Sequence, residues 1–159
     1  MVTFSAARDE LHRRLQAVSE AFNDLYPDVQ PPRVFLGFPA NEPPFYIVVD
    51  EIVDVARTTG GATMGHAQLE FTLNVWCCAQ HSRQETAADT LLAYVDAVFC
   101  AVLADHTMNG AVDNSMPTVE SAGTTADSSK RYIAAAALGV ECQVFAMCPH
   151  RLADVVLEG

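Results

Sequence analysis

The sequence predicts an α/β chain of the α+β type: a mostly antiparallel sheet of about four to five strands with two main helices packed on it, in the order α-β-β-β-α-β-β. Two observations carry that expectation. Leu69, Phe71, Leu73 and Val75 alternate with Glu70, Thr72 and Asn74, which is the period of a strand with one buried and one half-wet face. Two other stretches, near residues 4–25 and 85–104, instead space their apolar residues by three and four, the period of an amphipathic helix.

Taken in order, Phe4, Leu11, Leu15, Val18, Phe22 and Leu25 make the stripe of the first helix. Pro27 and the Pro31-Pro32 pair end it, because proline lacks a backbone donor and restricts the residue before it. Residues 34–38 read as a short strand, closed by a stiff turn containing Pro39, Pro43 and Pro44. Residues 45–55 read as a longer strand, with Val49, Val53 and Val55 on one face and Tyr46, Val48 and Ile52 on the other. Asp50 and Asp54 fall on that second face about 13 Å apart at the usual rise. Glycosidase carboxylates stand about 5 to 9.5 Å apart, so the pair reads as a solvated or subunit-facing edge.

Residues 57–66, with Gly60, Gly61 and Gly65, read as a small-residue loop between antiparallel strands. A phosphate-binding loop needs Gly-Lys-Ser/Thr and a following helix; here a strand follows. A hairpin tip that orders on a partner is set against a merely floppy loop. Ser82 and Glu85 match a capping box, and Ala87, Leu91, Tyr94, Val95, Val98, Phe99 and Val102 carry the second helix to about residue 104. Asp89 and Asp96 belong on its outer face, and His106 is expected to satisfy its terminal carbonyls. Residues 117–121 form a weak strand and 123–129 a polar loop of disordered composition. From 132 to 147 the alternation returns, until Pro149 stops it. Residues 1–148 thus read as one domain and 149–159 as a C-terminal tail.

Composition limits function. The net charge is −11, from 20 acidic and nine basic residues, and no lysine or arginine lies between Arg83 and Lys130. A nucleic-acid binder usually carries a basic stripe, so direct DNA binding is not expected. No apolar run approaches the ~20 residues that cross a bilayer, and the charged N-terminus does not read as a signal peptide. Cys77, Cys78, Cys100, Cys142 and Cys148 contain no CxxC pair. They read as free, buried thiols, since Cys142, Cys148 and His150 fit no standard zinc knuckle. His12, His66, His81, His106 and His150 are scattered, and Ser129-Lys130 lacks the S-x-x-K spacing of serine-lysine hydrolases. No catalytic residue, metal or cofactor is expected, and the chain is not expected to be an enzyme.

The order of elements resembles the tail terminator, or tail completion, proteins of long-tailed bacteriophages. The residues that carry the likeness are 34–39, 43–49, 69–76, the helix 85–103 and 138–144, so it spans roughly residues 5–147. The chain departs from the family in its length and in the residues after Pro149. The resemblance implies a virion protein at the neck end of the tail, assembled in the host cytoplasm as a homo-oligomer, expected to be a hexameric ring. The ring ends growth of the tail tube protein and then docks the head–tail connector, while DNA passes through its lumen without specific binding. An acidic lumen would let DNA slide.

On that reading the partner-binding loops would be Arg57, Thr58, Thr59, Gly60, Gly61, Met64 and His66, together with Thr124, Asp127, Lys130 and Arg131. Asp50, Asp54, Glu70 and Glu141 would face a neighbouring subunit or the lumen. Two other readings stand beside it: a head–tail joining protein of the same neck, and a small cytosolic enzyme or ligand-binding domain.

Overall fold

In the computed structural model, residues 4–63, 66–127, 129–147 and 155–158 are described. The alternating stretch lies inside β3 (His66–His81), which pairs antiparallel on both sides, with β2 (Phe45–Thr63) and with β5 (Tyr132–Met147). The remaining strands are β1 (Arg33–Leu36) and β4 (Asn114–Ala126), and the five-stranded order is β1-β2-β3-β5-β4. The helices are α1 (Phe4–Glu20), the single turn α2 (Phe22–Leu25) and α3 (Gln84–Leu103). The chain is therefore an α+β fold, as the periodicities predict.

The helices cover only one face of the sheet. Phe71, Leu73 and Val75 are buried beneath the helices with Ile47, Val49, Leu138, Val140, Cys142 and Val144, and Leu69 packs against them. Those residues meet Leu11 and Leu15 of α1 and Tyr94, Val98 and Val102 of α3. By length and composition α3 is the one helix among the described residues apolar enough to cross a membrane; here its apolar stripe is the roof of the core. Cys77, Cys78 and Cys142 are buried and free, whereas Cys100 is exposed, against the expectation of burial. Burial pushes the Cys142 thiol up to about 12 and raises those of Cys77 and Cys78 as well, so these three behave as small hydrophobes. Cys148 lies outside the described residues.

Several elements differ from the sequence reading, each for a local reason. β1 runs parallel to β2, so the proline-rich segment 37–44 is a return crossover and not a simple turn. Parallel strands usually need a dozen or more connecting residues, but a four-residue strand spans only about 12 Å and the return is correspondingly short. Gly37 starts it at φ +75, a conformation that favours glycine, and its N–H donates to the Val49 carbonyl at 2.8 Å.

β2 carries register shifts between Val49 and Ile52 and again between Val53 and Ala56. Each inserts a residue and turns the following side chains over. Ile52 consequently packs on the helix-side core, while Tyr46 and Val48 form a separate cluster on the other face. The simple alternation that grouped these three is corrected by the bulge.

The helix ends are held differently from expectation. The N-cap of α3 is Arg83 and not Ser82, with no side-chain cap; the Arg83 N–H instead donates to His81 Nδ1 at 3.1 Å. At the other end His106 is exposed, and Arg14 of α1 does the work assigned to it. Arg14 Nη1 donates to the carbonyls of Ala101 (3.0 Å) and Asp105 (2.9 Å), and Arg14 Nη2 to Asp105 Oδ2 (3.0 Å). A guanidinium fork satisfies two orphan carbonyls and a carboxylate at once.

Glu10 completes this group, accepting from Arg13 at 2.7 Å and Arg14 at 2.9 Å. The Arg13 hydrogen bond, then that of Arg14, outweighs desolvation and holds the Glu10 carboxyl at about 2, below its ordinary 4.5. A carboxyl depressed by folding stabilises the native state fully above its unfolded pKa and loses that contribution as pH falls. Stability is therefore expected to decline between pH 4.5 and about 2, and Glu10→Gln should flatten part of that decline. Identical acid-unfolding curves for the variant and the parent chain would refute it.

Candidate interface on the open sheet face

The face of the sheet away from the helices is where the structure gathers most of the acidic candidates. Across β3, β5 and β4, Glu70 stands opposite Gln143 and then Asn114, and Thr72 opposite Glu141 and then Met116. The second bulge of β2 brings Asp54 to the same place, at φ 54. These residues line a groove of about 370 Å³. Gln143 Nε2 donates to Glu70 Oε1 at 3.2 Å, and no lysine or arginine lines the groove. It is an acidic hollow, repelling anions. Among the described residues no three His, Cys, Asp or Glu side chains cluster closely enough to hold a metal.

Asp50, in the first bulge, is not part of this lining, so the structure separates it from Asp54, Glu70 and Glu141. Beside the groove the sheet is tight at Gly139, where a Cβ would stand 2.8 Å from Glu120 Oε1 and 3.0 Å from Thr72 Cγ2.

The other end of the same face is apolar. Tyr46, Val48 and Cys78 form its buried floor, with Phe35 and Ile133 packed against them. Trp76 and Phe38 sit beside it with ring centroids 6.2 Å apart, 38% and 45% exposed respectively. Two half-exposed aromatic rings side by side are the residue types that anchor protein interfaces. Trp76 closes the alternating stretch of β3 on the outward-facing side, whereas Phe38 reads from sequence only as the end of a short strand, because its neighbour lies 38 residues away.

The two candidate loops are corrected. Residues 57–63 belong to β2, and β3 begins at His66, so Arg57, Thr58, Thr59, Gly60, Gly61 and His66 are in strand and not in a long loop. Between the pairs Arg57–Leu69 and Ala62–Ala67 the ladder is irregular, and Thr58, Thr59, Gly60 and Gly61 fill that irregularity. Backbone pairing extends the strands where side chains give no alternation, and glycine tolerates the bulge. Met64 lies outside the described residues.

Thr124 is likewise in a strand, β4, opposite Ala134. Beyond it the chain is not of disordered character: Asp127 Oδ1 accepts from the N–H (3.0 Å) and hydroxyl (2.8 Å) of Ser129 and from the Arg131 N–H (3.0 Å). Those bonds, the Ser129 hydroxyl first, hold its carboxyl below the usual range. Lys130 sits at φ 61 within that turn. The two segments are not brought together. His66 pairs with Met147 and His81 with Tyr132, so they mark opposite ends of β3, roughly 50 Å apart at the rise of an extended strand.

No protein-family model matches the sequence, and no curated protein matches it.

Proposed function

We propose that the chain is a ring-forming structural protein of a bacteriophage tail end, which stops tube growth and presents the surface that docks the head connector. The observation that carries this reading is the sheet itself, without a helix on one face, which is divided into an aromatic end and an acidic end. The helices here cover one face only, and a neighbouring copy is the natural cover for Phe38 and Trp76. In a closed ring the acidic hollow then belongs at the inner wall, where negative charge favours passage of DNA over its retention. The two ends of β3 supply one contact region toward the tube and another toward the head. The sequence resemblance supports the same reading.

The test is negative-stain microscopy of the protein mixed with tubes of the tail-tube protein from the same genome. Blunt density at one tube end, with elongation halted, is expected; tubes that keep growing past dispersed particles would overturn the proposal. Trp76→Ser should weaken ring formation by about 2 kcal/mol, roughly thirtyfold in concentration, as loss of an interface anchor does, while thermal melting changes little. Assembly at unchanged concentration would remove Trp76 from the contact.

A further inference from the structure

At the far end of the sheet, on the helix side, a second groove of about 410 Å³ opens beside the start of α3. Among the residues lining it are Asp28, Ser82, Thr86, Thr90 and Arg131. We infer that this groove is a carboxylate-binding site, taking an acidic side chain or a chain terminus of a partner protein.

Three independent features converge there. The first turn of α3 has no side-chain cap, so its N–H groups, with the positive end of the helix dipole, are left for an outside acceptor. Thr90, one turn further in, is only 4% exposed, and its hydroxyl makes no hydrogen bond among the described residues. A helical threonine commonly returns its hydroxyl to the carbonyl four residues back; left unmade, a buried donor is costly, and an acceptor entering the groove removes that cost. Arg131 is exposed, and its guanidinium makes no hydrogen bond or salt bridge among the described residues.

The topology explains how these meet. His81 pairs with Tyr132, which brings the two ends of the long segment lacking lysine and arginine side by side. Arg83, Lys130 and Arg131 thus share one corner of an otherwise acidic molecule.

Charge balance selects the ligand. Arg83, Lys130, Arg131 and the helix terminus stand against the carboxylates of Asp28, of Glu85 in the first turn and of Asp127 beside Arg131, a near balance that favours a monoanion over a more highly charged ligand. A dianionic phosphate would confront Asp28. A carboxylate presents two coplanar oxygens, matching the Arg131 fork and leaving lone pairs for the first-turn N–H groups and for Thr90.

The experiment is an amide-resolved NMR titration of the intact chain with N-acetylglycine, alongside N-acetylglycinamide and inorganic phosphate. Saturable shifts at Gln84, Glu85, Thr86 and Arg131 are expected with N-acetylglycine. The amide, lacking the carboxylate, should give none, and phosphate should bind more weakly. Arg131→Gln should weaken N-acetylglycine about tenfold, the value of a charge-assisted hydrogen bond. Thr90→Val, which is isosteric, should keep the fold and weaken binding severalfold. Absence of saturable shifts, phosphate binding as tightly as the carboxylate, or affinities indifferent to both substitutions would each overturn the inference.

Discussion

Phe71→Ala is expected to cost about 3–5 kcal/mol of unfolding free energy, the range for truncating a buried aromatic ring. Phe71 is 1% exposed and meets Phe4 edge-to-face at 4.9 Å. It therefore joins the middle of the central strand to the first turn of α1, and two losses coincide: the transfer of the ring from water and the contact that seats the helix. The surrounding Leu73, Val140 and Cys142 sit on strands fixed by pairing on both sides and cannot collapse into the space. Urea denaturation with an unchanged slope and a much lower midpoint is the expected outcome. A loss below about 1 kcal/mol would mean that the sheet relaxes, which a strand paired on both sides should not.

Arg14→Met is the second large effect, expected near 2–3 kcal/mol from loss of hydrogen bonds to a charged donor. Methionine keeps the packing of the stem but leaves the Ala101 and Asp105 carbonyls without their donor and the Asp105 carboxylate without its cation. Arg14→Lys should recover less than half of the loss, because a point charge cannot span acceptors that the planar fork reaches together. Full recovery by lysine would show that charge alone matters at this junction. Asp105→Asn separates the contributions, since it removes the ion pair and keeps both carbonyl contacts.

The sequence made the covered face of the sheet legible because burial imposes a period. Leu69 to Val75 and Leu138 to Val144 needed only the alternation of a strand. What stayed hidden followed from interactions without periodicity. The bulges of β2, which move Ile52 to the core face and Asp54 into the acidic hollow, depend on pairing with β3 and leave no local mark. Thr58 to Gly61 and Gly123 to Ala126 read as loops because their side chains are small and polar, yet the first four sit in an irregular stretch of the β2–β3 ladder and the others pair with residues 132–135. The Glu10, Arg13, Arg14 spacing signals helix ion pairs, but nothing near Arg14 reveals that its other partners lie 87 and 91 residues away.

Of the candidate site, Glu70 and Glu141 were legible as outward positions of alternating strands. Phe38, Thr90 and the role of Arg131 were not, since each depends on what the fold brings beside it.

The long ladder between β3 and β5 also has a history in time. β3 ends at His81 and β5 ends at Met147, so the final partner of the central strand is synthesised a further 66 residues later. At roughly 5–20 residues per second that is a delay of several seconds. Throughout it the nascent chain offers an unpaired apolar edge, the kind that aggregates or pairs with a second chain. The hairpin of β2 and β3 is local and can close at once. Its outer rim cannot, and the helix α3, made in the interval, is the first element able to shelter it.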